Sequence, residues 1–262
     1  MTDIAPAPRL LDILLKEGTP FLDAQGMQRE ALGTGLCVLL GTARAGKTAL
    51  AWWLLDLVIR YTDRPVALIG MPSKVLEVLP EHWRGRVSNP PLEKIKDFKR
   101  PAVVLIDDSA VLLNNRRAMS SENVEMNQLW GILSHLGQGL SVILTTQNLA
   151  TIDIGAYRST HLSVIVRFCE EFTLRSEHHK WNDLVIDAQY ELQRAGQLPY
   201  HRDVYYSLQD GLVCKAGFPS WLDRKAKGNE ERGTILSKPY AYLSKAELAQ
   251  RIGTKKSKKK EA

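Results

Sequence analysis

The sequence predicts an α/β domain in which a mostly parallel sheet is flanked by helices. Five short runs of Val, Leu and Ile, almost free of polar alternation, have the pattern of strands buried on both faces of a parallel sheet. Segments with helical periodicity separate the runs and are long enough for right-handed crossovers. The runs are residues 36–40, 65–70, 102–107, 140–146 and 162–168. Together these observations predict a doubly wound domain over about residues 31–170.

Helices are predicted where apolar residues recur with helical spacing. Their ranges are 48–61, 73–83, 120–138 and 178–196. Trp52 and Trp53 fit core packing of the first helix better than a ligand role. A hairpin is predicted at 203–217, with its turn at Asp210 and Gly211.

The two ends of the chain differ from its centre. Residues 1–30 have the pattern of an amphipathic lead-in, with a short helix at LLDILL and a break at GTPF. After FPSWLD, at residues 218–223, the sequence becomes polar and charged, which predicts a peripheral tail; the C-terminal extension as a whole is expected over 216–262. In it, Ser244 and Glu247 have the spacing of a capping box that begins a helix. The main domain is therefore expected over 31–215.

The composition, 44% hydrophobic and 24% charged over 262 residues, is that of a soluble globular protein with one sizeable core. No uncharged apolar run reaches the roughly 18 residues of a membrane span, since Asp56 and Arg60 interrupt the longest candidate. The N-terminus lacks the basic start and long apolar centre of a signal peptide. We therefore expect a cytosolic protein that is not secreted and has no membrane span of its own.

The cysteines and the distribution of charge further restrict which kinds of binding site and stabilising cross-link the protein can have. The 3 cysteines are far apart and lack CxxC spacing, which predicts neither a disulfide framework nor a zinc site. Most of the net charge of +6 lies at residues 251–262, which hold six basic residues and one acidic residue. This Lys-rich tail is either a disordered, solubilising end or an arm that holds nucleic-acid phosphates.

Residues 41–48, GTARAGKT, match the phosphate-loop pattern G-x-x-x-x-G-K-[ST] between a predicted strand and a predicted helix. Gly41 would let the chain turn off the strand, and Gly46 would let backbone N–H groups approach phosphate oxygens. Lys47 would span the β- and γ-phosphates, and the Thr48 hydroxyl would ligate Mg²⁺. The candidate nucleotide-binding residues are Gly41, Thr42, Ala43, Arg44, Ala45, Gly46, Lys47 and Thr48. A glycine-rich turn before a core helix is the alternative.

Polar side chains end two further predicted strands. Asp107 and Asp108 follow one apolar run, and Gln147 follows another. If the first strand neighbours the loop strand, Asp107 holds Mg²⁺ through water and Asp108 is a base that orients the attacking water. Gln147 is placed to bond the γ-phosphate or the lytic water. An ordinary Asp-Asp turn and an ordinary polar strand end are the alternatives.

Three stretches in this order resemble the FtsK/HerA superfamily of P-loop ATPases that pump DNA: GTARAGKT, VVLIDDSA and LSHLGQGLSVILTTQNLATIDIGAYRSTHLSVIVRF. Small size and the lack of a membrane span are most similar to the genome-packaging ATPases of membrane-containing icosahedral viruses and phages. The resemblance implies a RecA-like core with an extra strand between the loop strand and the strand before Asp107. It also implies ATP and Mg²⁺ as cofactors, and a ring, usually hexameric, with double-stranded DNA in its pore.

The resemblance assigns roles to matching residues. The phosphate loop and Asp107 keep the roles given above, and Gln147 becomes the γ-phosphate sensor. Asp108 becomes the base, although the superfamily most often has glutamate there. Because an aspartate is one methylene shorter, either the water is placed differently or hydrolysis is slower.

The resemblance also implies an arginine finger that enters a neighbouring subunit's site. Spacing does not place it, because Arg116, Arg117, Arg158, Arg167 and Arg175 are all available and each is alternatively a solvated surface charge. Arg158 and Arg167 are preferred, since they follow the sensing strand and the next strand. Arg116 and Arg117 lie in a polar stretch that either touches DNA in a pore or links a strand to a helix.

The sequence thus predicts an ATPase coupled to DNA translocation, acting as a genome-packaging ring in the host cytoplasm or at the packaging vertex of the virion. Its expected partners are double-stranded DNA, further copies of the chain, and capsid-vertex or membrane proteins. Two other classes stay open. A Zot-like phage assembly or secretion ATPase has a related core but usually carries a transmembrane segment. A small-molecule kinase uses the same loop, but two carboxylates together with Gln147 favour water as the acceptor.

Overall fold

An eight-stranded sheet is the centre of the fold in the computed structural model, which describes residues 6–15, 19–22, 28–31, 35–91, 94, 101–107, 140–147, 162–169, 179–195 and 203–247. Its strands are β3 (Gly35–Leu40), β4 (Val66–Ile69), β5 (Val87–Ser88), β6 (Ala102–Ile106), β7 (Leu140–Thr146), β8 (Leu162–Val166), β9 (Val204–Ser207) and β10 (Leu212–Lys215). A separate hairpin pairs β1 (Thr19–Leu22) with β2 (Gln28–Ala31).

The strand order across the sheet is β10-β9-β8-β3-β7-β6-β4-β5. The strands from β8 to β5 are parallel, whereas β9 and β10 are antiparallel to their neighbours. Every predicted apolar run forms a strand, which confirms the α/β class. β7 lies between β3 and β6, as the RecA-like resemblance implies. β6 is therefore not the direct neighbour of the loop strand.

The described helices are α1 (Pro8–Leu10), which continues into a π-helical turn (Leu11–Leu15), α2 (Lys47–Tyr61), α3 (Ser73–Glu77), α4 (His179–Arg194) and α5 (Glu230–Ser237). Short 3₁₀ segments are Glu81–Trp83, Ser220–Leu222 and Pro239–Tyr242. The helix predicted at 73–83 is interrupted before Pro80, which has no N–H to donate. The helix predicted at 120–138 lies outside the described residues. None of the described helices is long and apolar enough to cross a membrane.

Helices cover both faces of the sheet. α2 packs on one face, in a cluster with Leu39 of β3 and Ile143 of β7. α4 packs on the other face, where Val185 and Ala188 join a cluster with Val164 of β8. Because the central strands are buried on both sides, their sequences lack the polar alternation of a half-exposed strand.

Three tryptophans pack around a buried carboxylate on α2. The rings of Trp52, Trp83 and Trp221 have centroids 5.3 to 6.4 Å apart. Asp56 is 4% exposed and accepts indole N–H bonds from Trp83 at 3.2 Å and Trp221 at 3.0 Å. It also pairs with Arg60 at 2.7 Å, so the buried charge is well satisfied. The twin tryptophans of α2 are core residues, as predicted.

The segment after residue 216 packs against α2, in contrast to the peripheral position expected for it. Its residues Trp221, Leu222, Ile235 and Leu236 are at most 6% exposed. The Trp52 indole N–H donates to the Leu236 carbonyl at 3.0 Å. A few widely spaced apolar anchors are enough to fix a mostly polar segment. The Lys-rich residues 251–262 lie outside the described part of the chain, and the boundaries 31 and 215 stay predictions.

The N-terminal lead-in is fixed to the edge of the sheet where the strands begin. Arg64 donates to the carbonyls of Leu14 at 2.8 Å and Ala102 at 3.0 Å, and to the Ser141 hydroxyl at 2.8 Å. Burial lowers the pKa of Arg64 to about 10, so the guanidinium stays charged at neutral pH. The break expected at GTPF is instead β1, an edge position at which a proline is tolerated.

Two local predictions near the C-terminal side are confirmed. β9 and β10 form the expected hairpin, with Ser207 opposite Leu212 and with Gly211 at φ +65° in the turn. The capping box also forms, because the Glu247 N–H donates to the Ser244 hydroxyl at 3.2 Å. In return, the Ser244 N–H donates to Glu247 Oε2 at 2.8 Å.

The Glu247 carboxylate also ties this C-terminal turn to α3. Its Oε1 accepts bonds from the Ser73 N–H at 2.8 Å and from the Ser73 hydroxyl at 2.9 Å. Hydrogen bonds from Ser244, together with those from Ser73, lower the pKa of Glu247 to about 2. One exposed carboxylate therefore links two segments that are far apart in sequence.

The link between Glu247 and Ser73 is expected to weaken in acid. The folded-state pKa lies below the ordinary value of 4.5, so the stabilising contribution is complete above pH 4.5 and is lost as the pH falls towards 2. Carboxyl NMR titration should show this lowered pKa, and Ser73→Ala should raise it towards 4.5. Ser237→Ala, a change at an exposed serine elsewhere, should leave it unchanged. A wild-type Glu247 pKa near 4.5 would contradict the link.

Candidate functional site

The loop between β3 and α2 holds two residues in the left-handed backbone region. Gly46 has φ 86° and ψ 19° directly before Lys47 begins α2. Arg44 has φ 65° and is the one non-glycine with positive φ among the residues that the structure describes. Left-handed residues interspersed in a loop turn successive N–H groups towards one point, which creates an anion-binding nest. The nest lies at the positive end of a 15-residue helix.

Gly41 is required by the crowding at the base of the loop. A Cβ at this position would lie 3.0 Å from Arg167 Cβ, 3.1 Å from the Phe168 carbonyl oxygen and 3.2 Å from Ala45 Cβ. The N–H of Thr42 donates to the same Phe168 carbonyl at 2.9 Å. The start of the loop is thus held against the chain that follows β8, and a side chain at residue 41 would force the two apart.

Lys47 and Thr48 are the first residues of α2. The Lys47 ammonium donates to the carbonyl oxygens of Gly41 and Thr42, each at 2.7 Å. It is held within the loop, where it adds a full positive charge to the partial charge of the helix end. The arrangement suits an anion with several oxygens, such as the phosphates of a nucleotide.

Asp107 follows β6 and is buried beside Thr48. The carboxylate is 2% exposed, and both of its oxygens lie 3.3 Å from Thr48 Oγ1. Its Oδ1 also accepts a bond from the Thr145 hydroxyl of β7 at 2.5 Å. Hydroxyl and carboxylate oxygens are the donors that Mg²⁺ prefers, so Thr48 and Asp107 fit the metal predicted for them. Although β7 separates the two strands, the expected proximity of Asp107 to the phosphate loop is present.

Gln147 is the residue after β7 and is exposed at the same edge of the sheet. The carbonyl of its neighbour Thr146 accepts the N–H of Gly41 at 3.3 Å, which places Gln147 beside the start of the loop. Its position is compatible with the sensing role, which stays a prediction. Asp108 and Arg158 lie outside the described residues, as do the other candidate arginines Arg116, Arg117 and Arg175.

Arg167 supports the phosphate loop and does not have the exposure that a finger requires. It is 2% exposed, and its Nε donates to the Ala45 carbonyl at 3.1 Å. Its backbone N–H donates to the Leu40 carbonyl at 2.8 Å, and its own carbonyl accepts a bond from Gln189 of α4 at 3.0 Å. A side chain enclosed in this way does not extend to a neighbouring subunit. The finger interpretation of Arg167 is therefore replaced by a role within its own chain.

The sequence did not reveal the role of Thr145, nor the contact that Arg167, directly after β8, makes with the phosphate loop. The register pairs Ile106 with Leu144, which places Asp107 beside Thr145 on the adjacent strand. A threonine within a buried apolar strand was the available signal, but its partner is evident only once the strand order is known. No feature of the sequence indicated that Arg167 supports the loop.

Comparison with known proteins yields a fold. No protein-family model and no curated protein matches the chain. The second and third ATPase modules of EccC from Thermomonospora curvata, solved with a signal sequence peptide, superpose with a TM-score of 0.53 at 11% identity. The match covers 82% of this chain and 44% of that one. This protein has a RecA-like P-loop ATPase fold.

Two further solved structures with this ATPase fold match less closely. The genome packaging NTPase B204 of Sulfolobus turreted icosahedral virus 2, in complex with AMP, has a TM-score of 0.46 at 15% identity, over 71% of this chain and 98% of that one. EssC (ATPases 2 and 3) from Geobacillus thermodenitrificans has a TM-score of 0.47 at 13% identity, over 92% of this chain and 52% of that one. The chain thus spans about half the length of the EssC and EccC structures.

Arg44→Gly is expected to stabilise the ATPase fold. A side chain in the left-handed region costs about 1–2 kcal/mol, and the extra freedom of glycine in the unfolded chain offsets part of the gain. We expect the free energy of unfolding, measured with urea, to rise by up to about 1 kcal/mol. Ala43→Gly is the matched control, since Ala43 has no positive φ and should lose stability. Equal changes in the two variants would contradict the strain at Arg44.

Arg167→Gln is expected to weaken nucleotide binding by the single chain. The change removes the donor to the Ala45 carbonyl and should lower the free energy of unfolding by about 1–3 kcal/mol. An arginine finger would instead affect turnover in an assembly and leave binding by one chain intact. Arg84→Gln, at a residue 73% exposed, is the control. Unchanged nucleotide affinity and stability in Arg167→Gln would restore the finger interpretation.

Proposed function

We propose that this protein is an ATP-hydrolysing motor of the FtsK/HerA type that moves double-stranded DNA. One observation carries the proposal: Lys47, Thr48 and Asp107 converge at the edge of the sheet beside Gln147. A phosphate loop alone would support binding. A buried carboxylate beside the loop threonine, with an exposed amide at the next strand end, supports hydrolysis as well.

In the proposed reaction, different residues of the chain bind the phosphates, hold the metal ion, activate the water and sense the γ-phosphate. The loop amides and Lys47 bind and orient the β- and γ-phosphates. Thr48 and Asp107 would hold Mg²⁺, which supplies neutralisation of the phosphate charge. In the proposal, Asp108 orients the attacking water and accepts its proton, and Gln147 contacts the γ-phosphate. When that phosphate leaves, the amide of Gln147 moves, and this movement is the signal by which the motor senses loss of the γ-phosphate.

The assembly completes the proposed site. The motif order GTARAGKT, VVLIDDSA and TTQN resembles superfamily members that work as rings, usually hexameric, around DNA. With Arg167 assigned to the loop, Arg158 is the preferred finger for the neighbouring subunit. We place the ring in genome packaging, in the host cytoplasm or at the virion's packaging vertex, with capsid-vertex or membrane proteins as its anchor.

The test is ATP turnover with and without duplex DNA. We expect duplex DNA to raise turnover and activity to depend on oligomer formation. Lys47→Ala and Asp108→Asn should each lower turnover by about a hundred-fold or more, because each removes a group that acts on the reacting phosphate or water. Lys74→Ala is the matched control: Lys74 is a half-exposed lysine of α3 that pairs with Glu231 at 3.4 Å.

Three outcomes would contradict parts of the proposal. Parent-like hydrolysis by both site variants would refute the site assignment. A fully active monomer that ignores DNA would refute translocation while leaving an ATPase. Stimulation by a signal peptide in place of DNA would favour a secretion ATPase.

A further inference from the structure

Thr145 lies at a position where packing alone does not require a hydroxyl group. It is 1% exposed near the end of β7, where its predecessors Ile143 and Leu144 are fully buried apolar residues. A valine has nearly the same shape and would suit the strand without burying a hydroxyl. The hydroxyl is instead used, because it donates to Asp107 Oδ1 at 2.5 Å. That bond joins the middle strand to the candidate Mg²⁺ ligand.

The bond fixes the orientation of the Asp107 carboxylate. A carboxylate turns readily about its last side-chain bond, which has broad minima. Thr48 Oγ1 lies 3.3 Å from both oxygens and so does not distinguish between them. Thr145 donates to Oδ1 at 2.5 Å and so distinguishes between the two oxygens. The orientation of the carboxylate is therefore set from β7.

The end of β7 also contacts the phosphate loop. The carbonyl of Thr146 accepts the N–H of Gly41 at 3.3 Å, and Gln147 follows at the exposed edge. Three consecutive residues at the end of β7 and directly after it thus contact the candidate metal ligand, contact the loop, and lie at the exposed edge where the γ-phosphate is expected. β7 therefore bonds both to Asp107 and to the start of the phosphate loop.

We propose that Thr145 is a positioning residue that holds Asp107 ready for Mg²⁺ and so sets the Mg²⁺ concentration that nucleotide binding requires. The inference rests on the proposed ATP site and names one more residue of it. Hydrogen-bond partners that orient a metal ligand typically contribute ten- to a hundred-fold to metal affinity. Thr145 acts through Asp107, to which its hydroxyl is bonded.

The experiment is a Mg²⁺ titration of binding of a fluorescent ATP analogue to the full chain, with a parallel measurement in EDTA. Thr145→Val should raise the Mg²⁺ concentration for half-maximal binding about ten-fold or more, while binding in EDTA stays at the wild-type level. Thr145→Ser keeps the hydroxyl and should stay within about two-fold of wild type. Mn²⁺ binding in the presence of the analogue, followed by electron paramagnetic resonance, should weaken in the valine variant alone.

Thr62→Val is the matched control. Thr62 is also buried, at 5% exposed, and its hydroxyl donates to the Val58 carbonyl at 2.8 Å beyond the far end of α2. Loss of this hydroxyl should leave the Mg²⁺ midpoint unchanged. Thermal unfolding of each variant shows whether it is folded, and Thr145→Ala provides a second hydroxyl deletion if the valine does not fold.

The outcomes separate the two proposals. If wild type binds the analogue with Mg²⁺ and Thr145→Val has the same midpoint, the positioning role is refuted and the ATP site stands. An equal shift in Thr145→Ser and Thr145→Val would refute it as well, because packing would then explain the effect. If wild type does not bind the analogue at any Mg²⁺ concentration, the ATP site itself is refuted, and the positioning role with it.

Discussion

The common direction of β3, β7 and β6 is the constraint on which the rest of the site depends. Parallel strands end at the same edge of a sheet, so the phosphate loop, Gln147 and Asp107 are brought to one side. Neighbouring strands lie about 4.8 Å apart, which leaves Asp107 two strand spacings from the loop strand. Thr48 of α2 and Thr145 of β7, the strand between, each contact Asp107 and so bridge this distance. The site is therefore assembled from the ends of several strands and not from one motif.

Buried charged groups keep the surrounding elements in place. Arg167 bonds to the Ala45 carbonyl of the loop, Asp56 receives two indole N–H groups on α2, and Arg64 joins three segments at the opposite edge of the sheet. A buried charge is costly unless it is hydrogen-bonded, so each group tolerates few arrangements of its neighbours. Since α2 carries Lys47 and Thr48, whatever fixes this helix also fixes the phosphate site.

Prediction from the sequence succeeded where the signal was local. The apolar runs became strands, the turn at Gly211 and the capping box at Ser244 formed, and GTARAGKT became a loop between a strand and a helix. It failed where a polar sequence hid a few anchors, as at Ile235 and Leu236, and where a proline-containing segment expected to be a break formed a strand, as in β1. Arg167 was misjudged because an arginine near a strand end has the same pattern whether it faces solvent or lies under a loop.

By itself, the sequence determined the α/β class, the phosphate loop with Lys47 and Thr48, and the carboxylate Asp107, because each depends on residues close together in the chain. The tertiary structure decided the bond between Thr145 and Asp107, the burial of Arg167 and the docking of the C-terminal segment on α2. Those features depend on contacts between residues separated by many positions. The strand order brings such residues together; the motif resemblance implied that one strand lies between β3 and β6, but neither it nor periodicity specifies which side chains then touch.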